Sequence, residues 1–180
     1  MSGHNKWSKI KHKKAATDAA RSKIFSKHSM LIAMESRQAS GDVNSPGLAA
    51  AIERAKKDSM PKDNIDRAVA KGSGAGGAAI EEVMFEGYGP GGVALLIQAV
   101  TDNNNRTSAE IRATFSKNGL EMGTPGSAAW AFTKNAAGDH VPSNPMELDD
   151  ETGEKLAEFI EKLEDNDDVT NVYTAADTPE

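Results

Sequence analysis

The sequence predicts an α+β multidomain fold, in which a basic bundle of three helices precedes a small α+β sandwich, a mostly antiparallel sheet with helices on one face. Three observations lead to this fold. Apolar residues recur at helical spacing from about residue 17 to residue 71, and at strand and helix spacing in alternation after residue 79. A glycine-rich run separates the two patterns. The net charge also changes sign across that run.

Charge is divided unequally along the 180 residues. Up to Ala78 there are 15 Lys and Arg against 7 Asp and Glu, whereas from Ala79 onward there are 6 against 20. The formal net charge of −6 therefore hides a basic part and an acidic part. A basic surface attracts nucleic acid or another polyanion, and an acidic surface is repelled by both. The two parts are therefore predicted to have separate partners.

The first part of the chain has the start and stop signals of three helices. Periodic apolar residues from about Thr17 to Ser40 predict the first helix, which Gly41 ends. Ser45-Pro46 supplies an N-cap and a first-turn proline for the second helix. Ser59-Met60-Pro61 repeats the arrangement for a third helix, which Gly72 is predicted to stop.

The second part reads as strands and helices in alternation. Alternating residues from Glu81 to Tyr88 and the apolar run from Val93 to Val100 predict two strands joined by a glycine-rich turn. Thr107-Ser108-Ala109-Glu110 has the form of a capping box and predicts a helix that begins there. The remaining predicted elements are a strand at Ala128 to Phe132, a helix through Leu156 and Leu163, and a strand at Val169 to Thr174.

These patterns predict a basic helical domain at residues 1–78, with a linker at 72–78, and an acidic α+β domain at 79–180. Gly72, Gly74 and Gly77 match the spacing of a dinucleotide-binding loop. That loop requires a strand before it and a helix after it, and here the order is reversed. We therefore predict a linker and no bound cofactor.

Composition excludes several classes of protein. The absence of cysteine excludes disulfides, zinc–thiolate sites, iron–sulfur clusters and thiol catalysis. The longest apolar stretch, Gly91 to Val100, is too short to cross a bilayer. With no sign of a secretory signal, the sequence predicts a cytoplasmic protein without a membrane partner.

The basic N-terminal segment from Ser2 to Lys14 is the first candidate binding site. It contains five lysines and no acidic residue, and closely spaced cations suit a phosphate backbone. Trp7 could stack on an unpaired base, or it could pack the segment onto the bundle, and a solvated tail remains the alternative to binding. The predicted nucleic-acid contacts of the first domain are Lys6, Trp7, Lys9, Lys11, His12, Lys13, Lys14, Arg21, Lys23 and Lys27, extended by Lys56, Lys57 and Lys62.

A polar loop from Thr101 to Thr107 is the second candidate. Backbone N–H groups beside Arg106 could hold a phosphate there, so Arg106 is included among the predicted contacts. Alternatively, the Asp and Asn side chains serve the turn while Thr107 caps the following helix.

Catalytic and metal sites are not indicated. His4, His12 and His28 have no carboxylate or second histidine four residues further on, so no metal site is predicted. The acidic run from Glu161 to Asp168 lacks the glycine and the spacing of a calcium loop, and is interpreted as a solvated face or a patch for a basic protein. No nucleophile and base are paired, so we predict neither an enzyme nor a small-molecule substrate.

Five motifs of this chain occur in the same order in one known family. They are Gly3 to Lys11 with Asp18 to Phe25, Met60 to Ile65, Phe85 to Val93, Thr101 to Thr107, and Leu163 to Val169 with Val172-Tyr173. Together they cover nearly the whole sequence, which therefore resembles the YebC family. That family includes the mitochondrial translational activator of cytochrome c oxidase subunit one.

The resemblance implies a basic helical first domain and an α+β second domain. Bacterial members are generally labelled transcriptional regulators that bind DNA, while others are tied to the ribosome and help translation through proline runs; none is known as an enzyme. Family members usually carry a third domain inserted before the C-terminal helix. Here only residues 133–148 occupy that position, so the inserted domain is predicted to be missing.

The sequence and the resemblance together predict a non-enzymatic, nucleic-acid-binding regulator of gene expression that acts in transcription on duplex DNA. The alternative is a ribosome-associated translation factor that binds ribosomal RNA through its basic part, with the acidic part facing basic ribosomal proteins. A third interpretation is an interaction protein whose acidic helix binds a protein partner and which has little affinity for nucleic acid.

Overall fold

The computed structural model describes residues 18–74 and 79–177. The contacts between residues divide the chain into two compact units. The described residues of the helical unit are 18–74, 79–83 and 100–104, and those of the α+β unit are 84–99 and 105–177. The domain boundary between residues 78 and 79 stays a prediction. No helix among the described residues is long and apolar enough to cross a membrane.

Three helices form the helical unit, as the sequence predicted: α1 (Asp18–Gln38), α2 (Pro46–Lys57) and α3 (Lys62–Ser73). Apolar residues three or four positions apart face inward, because such residues share one side of a helix. Helix α1 packs against both other helices. The buried core consists of Ile32, Leu48, Ala51, Ala55, Met60, Ile65 and Ala68.

Gly72 has a different role from the one predicted. It lies inside α3 and is buried, and the helix continues to Ser73. A Cβ atom on Gly72 would collide with the Ala33 carbonyl oxygen and would lie 2.7 Å from the Cβ of Ser36. Ser36 also donates a hydrogen bond from Oγ to the Val69 carbonyl oxygen at 2.7 Å. Glycine therefore permits the close contact between α1 and α3, and the prediction that it stops the helix was wrong.

The two predicted N-caps also differ from each other. Ser45 occupies the N-cap position of α2 and Pro46 its first turn, but the buried Ser45 hydroxyl makes no hydrogen bond. At α3 the N-cap residue is Pro61, which has no side-chain donor or acceptor. Ser59 instead adopts a positive φ of 64° just after α2. The second predicted N-cap was therefore wrong, because those residues serve the turn between the helices.

Strands and helices interleave in the rest of the chain, and the predicted α+β class is confirmed. Four strands form one antiparallel sheet in the order β3-β1-β2-β6, and β4 and β5 pair separately. The elements are β1 (Glu81–Gly89), β2 (Val93–Thr101), α4 (Asn104–Lys117), β3 (Met122–Gly123), β4 (Phe132–Lys134), β5 (His140–Pro142), α5 (Asp150–Glu164) and β6 (Val169–Thr174).

Strand β2 lies in the middle of the larger sheet. Eight of its nine residues are buried, which explains why its sequence is mostly apolar, with Gln98 and Thr101 as the polar exceptions, and does not alternate. It pairs with β6 so that Ile97 faces Val172. Phe115 of α4 and Phe159 of α5 meet edge to face with 5.0 Å between ring centroids, so both helices contribute to one core.

Three expectations for this part need correction. Helix α4 begins at Asn104, and the buried Thr107 lies inside it with its hydroxyl donating to Asp168 Oδ2 at 2.6 Å. Thr107 is therefore not a cap. Ala129–Ala131 form a 3₁₀ turn, and the strand predicted at Ala128 to Phe132 begins only at Phe132. The short strands β3 and β5 were not predicted, whereas β6 has the predicted bounds.

A buried carboxylate fixes the loop that follows β3. Glu86 accepts hydrogen bonds from the backbone N–H groups of Gly126, Ala128 and Ala129, each at 2.8 Å. Burial raises the pKa of Glu86, but the three N–H donors outweigh it and hold the pKa below the ordinary value of 4.5. The ionised carboxylate therefore holds the backbone of residues 126–129 in place, a contact that the sequence pattern did not predict.

We expect Gly72→Ala to destabilise the helical unit by about 1–3 kcal/mol, because the added methyl group must push α3 away from α1. Urea unfolding followed by circular dichroism measures the change. Lys71→Ala is the matched control, since Lys71 is exposed on the same helix, and it should change the free energy of unfolding by less than about 0.5 kcal/mol. Equal midpoints for Gly72→Ala and the parent protein would contradict the close contact.

We expect Glu86→Gln to destabilise the α+β unit by about 3 kcal/mol near neutral pH, because an amide loses the charge that three N–H donors face. In the parent protein this contribution is present above pH 4.5 and is lost as pH falls through the lowered pKa of Glu86. The free energy of unfolding of Glu86→Gln should therefore fall less than that of the parent protein as the pH is lowered from 7 to 3. Urea unfolding between pH 3 and pH 7 measures both effects, with the exposed Glu121→Gln as the control.

Candidate nucleic-acid interface

The predicted contacts fall into three groups in the structure. Arg21, Lys23 and Lys27 lie on α1, Lys56 and Lys57 end α2, and Lys62 begins α3. Arg106 lies in the α+β unit, in the first turn of α4. The other predicted contacts lie outside the described residues and remain predictions, namely Lys6, Trp7, Lys9, Lys11, His12, Lys13 and Lys14.

The three predicted contacts on α1 do not all lie on the same side of the helix. Lys23 and Lys27 are four residues apart and share a side of the helix, where both are half-buried. Arg21 is exposed and lies on the other side, since two residues correspond to about 200° of helical rotation. Helix α1 therefore places only part of the predicted set on any one surface.

A groove between α2 and α3 brings two of the predicted lysines together. Lys56 and Lys62 both line an open cavity of about 630 Å³. Its apolar wall comes from residues such as Ile52, Met60 and Val69. The structure thus places one cation from the end of α2 and one from the start of α3 beside the same depression.

Both of these lysines pair with exposed carboxylates on their own helices. Lys56 Nζ lies 3.0 Å from Glu53 Oε1, and Lys62 Nζ lies 2.7 Å from Asp66 Oδ2. The hydrogen bond and the charge of Asp66 raise the pKa of Lys62, which therefore stays protonated. Exposed ion pairs of this kind contribute little stability, so a phosphate can replace the carboxylate at small cost.

The last turn of α2 carries a cation that the sequence analysis overlooked. Arg54 and Lys57 are three residues apart, are exposed, and form no ion pair or hydrogen bond from their side chains within the described residues. The sequence contained a signal for Arg54, because Arg54, Lys56 and Lys57 lie within four consecutive positions. Together they form a basic helix end next to the groove.

The described helical residues account for only part of the basic charge. Residues 18–74 contain 10 Lys and Arg against 7 Asp and Glu, whereas the whole first part of the chain has 15 against 7. The remaining five cations are the lysines of the N-terminal segment. The affinity of the first part of the chain for phosphates is therefore expected to depend strongly on the lysines of that segment.

Arg106 is already engaged. Its Nη2 atom donates to Asp168 Oδ2 at 2.8 Å, and the buried Asp168 also accepts from Thr107. This pair links the start of α4 to the turn before β6. In the preceding loop, Thr101 Oγ1 accepts from the Asn103 N–H at 2.9 Å. The phosphate contact predicted for Arg106 stays a prediction. To make it, the guanidinium group would have to bind the phosphate and Asp168 at the same time.

The described residues offer no metal site, since no three His, Asp or Glu side chains among them are grouped to hold an ion. His28 instead lies 2.6 Å from Asp58 through Nε2 and Oδ2. Within the acidic run from Glu161 to Asp168, Lys162 donates a hydrogen bond to Asn118, the residue after α4, and Asn166 donates one to Glu110 of α4. These contacts join α5 and the following turn to α4.

The described structure combines a helical unit with an α+β unit, and comparison with known families identifies the family that has this organisation. Residues 5–75 match the profile described as the TACO1/YebC protein N-terminal domain. Residues 80–138 and 133–176 match the profile of the TACO1/YebC second and third domain. The chain belongs to the TACO1/YebC family, as the sequence motifs indicated.

Several relatives match along nearly their whole length. A probable transcriptional regulatory protein of Syntrophus aciditrophicus is 39% identical, with 100% of this chain and 97% of the relative covered. One of Geobacter sulfurreducens is 37% identical, with 98% and 96% covered. The crystal structure of a conserved hypothetical protein from Aquifex aeolicus superposes with a TM-score of 0.80 at 29% identity, covering 91% of this chain and 93% of that one.

The alignments with relatives are longer than this chain. The Syntrophus alignment spans 242 positions, whereas the chain has 180 residues. The two matched parts of the second profile meet at residues 133–138, in the connection that the sequence analysis singled out. The predicted lack of the inserted domain agrees with these lengths.

Proposed function

We propose that this chain is a non-enzymatic, nucleic-acid-binding regulator of gene expression that acts on duplex DNA. The observation that carries the proposal is the name shared by relatives that match over nearly their full length, "probable transcriptional regulatory protein". The separation of charge supports it, because a basic helical part and an acidic α+β part suit a polyanion bound by the first part alone.

The contacts in this proposal are mainly with phosphates. Lysines of the N-terminal segment, the basic end of α2 and Lys62 neutralise backbone charge and release counterions. Such contacts give affinity with little sequence preference, because base edges are not read. The acidic α+β unit is repelled by the same polyanion, which orients the protein on its target.

Charge reversal of Lys11, Lys13 and Lys14 to Glu should weaken binding to a mixed-sequence DNA duplex. It should also reduce the slope of log affinity against log salt by about 3, because each lysine that no longer neutralises a phosphate lowers the slope by about 1. Fluorescence anisotropy over a range of salt concentrations measures both quantities. The matched control reverses Arg112, Lys117 and Lys134, three exposed cations of the α+β unit, and changes net charge equally.

The control should leave the salt slope unchanged. Two triple variants that weaken binding equally would mean that net charge alone governs affinity. An unchanged slope in the N-terminal variant would remove that segment from the interface.

A second candidate function is that of a ribosome-associated translation factor, with the basic part on ribosomal RNA. The observation that favours it is the excess of 20 acidic over 6 basic residues from residue 79 onward. Duplex DNA alone gives such a surface nothing to bind, whereas a ribosome offers RNA and basic proteins together. The cytoplasm is the expected location for either function.

Sedimentation of cell lysate through a sucrose gradient, with and without nuclease, separates the two functions. The transcriptional proposal predicts that the protein stays out of ribosomal fractions and binds promoter duplexes with strong salt dependence. Co-migration with ribosomes, abolished by the Lys11, Lys13 and Lys14 reversal, would contradict it in favour of the translation factor. The Arg112, Lys117 and Lys134 variant is again the control.

A further inference from the structure

An exposed apolar patch on the α+β unit contains none of the predicted nucleic-acid contacts. Among the described residues three large hydrophobic side chains are exposed, and two of them, Trp130 and Met146, line the same cavity of about 280 Å³. The third, Val43, belongs to the helical unit. Large apolar side chains gathered at one surface cavity are typical of interaction sites.

Trp130 is held in place although 71% of it is exposed. Its indole Nε1 lies 2.9 Å from the Ser127 carbonyl oxygen and 3.0 Å from Tyr88 Oη. Tyr88 Oη itself donates to the Ser127 carbonyl oxygen at 2.6 Å. Glu86 fixes the same loop through three backbone N–H groups. An ordered, exposed tryptophan loses little conformational entropy on binding, which suits an anchor residue.

Small, buried apolar side chains form part of the wall of the cavity beside Trp130, and the polar residues Ser143 and Asn144 also line it. Ala94 of β2, Ala131 and Ala175 line it, and all three are buried. Met146 closes another side, and its backbone N–H donates to the Ala175 carbonyl oxygen at 2.8 Å. The flexible thioether of Met146 can adapt to the shape of an inserted side chain. The cavity therefore suits an apolar side chain.

Acidic residues border the patch. Glu147 follows Met146 directly, and the backbone N–H of Asp177 donates to the Met146 carbonyl oxygen at 2.8 Å. Both acidic side chains are exposed. The face of an exposed indole also attracts a Lys or Arg side chain. These charges disfavour a phosphate and favour a cation.

We infer that Trp130, Met146 and the cavity between them bind a basic polypeptide segment of a protein partner. An apolar side chain of that segment enters the cavity, and a neighbouring Arg or Lys lies over the Trp130 ring beside Glu147 and Asp177. The matched parts of the second family profile meet at residues 133–138, between Trp130 and Met146. The binding surface thus flanks the position at which the longer relatives carry additional residues.

Fluorescence of Trp130 provides the test, because the chain has only two tryptophans and Trp7→Phe leaves Trp130 as the single reporter. The full-length Trp7→Phe protein is titrated with the peptide (Arg-Leu)4, and with (Glu-Leu)4 and oligo-dT as comparison probes. We expect a saturable change in Trp130 emission with (Arg-Leu)4, and no such change with (Glu-Leu)4 or oligo-dT. Trp130→Ala, measured by calorimetry, should weaken binding of that peptide at least about tenfold.

Charge variants distinguish this site from general attraction to an acidic protein. The double variant Glu147→Lys/Asp177→Lys should weaken peptide binding about tenfold, whereas Glu121→Lys/Glu158→Lys should change it less than about twofold. Both pairs are exposed and give the same change in net charge. The first pair adjoins the cavity residue Met146, since Glu147 follows it in the chain and the Asp177 N–H donates to its carbonyl oxygen. No binding of the basic peptide, equal weakening in the two double variants, or a response of Trp130 to oligo-dT would each overturn the inference.

Discussion

The burial of strand β2 is the constraint on which the α+β unit depends. Because β2 lies between β1 and β6 and is covered by side chains of α4 and α5, its position determines the placement of both neighbouring strands. On the β1 side, Glu86 fixes the loop that carries Trp130. On the β6 side, Asp168 ties the turn before the strand to the start of α4. The strands on either side of β2 thus lead to the two candidate surfaces of this unit, the one at Trp130 and the one at Arg106.

Much of this architecture could be predicted because it follows from apolar periodicity. The three helices, the apolar strand β2 and the bounds of β6 all have strong local patterns. What escaped prediction depends on partners distant in sequence. In the sequence Gly72 has the pattern of a helix stop, and only its contact with the Ala33 carbonyl oxygen shows that it is a packing residue. Thr107 has the pattern of an N-cap, and only the structure shows that its hydroxyl donates to Asp168. Strands as short as β3 and β5 have too few residues for a period to be recognised.

The candidate sites show the same division. Composition identified the basic first part of the chain, and the structure adds that Lys56 and Lys62 border one groove and that Arg54 joins the basic end of α2. Composition could not identify the Trp130 patch, since an exposed tryptophan and a buried one look alike in a sequence. The position of the patch depends on the hydrogen bonds from the loop backbone to Glu86 and on the backbone pairing of Met146 with Ala176.

The two proposals together assign nucleic acid to the basic part of the chain and protein contacts to the acidic part. Hydrogen–deuterium exchange of the full-length protein, with and without a saturating mixed-sequence DNA duplex, tests this assignment most directly. Slower exchange centred on the first 74 residues, with α5 and the Trp130 loop unchanged, is the predicted result. Slower exchange centred on α5 or on the Trp130 loop would contradict the assignment.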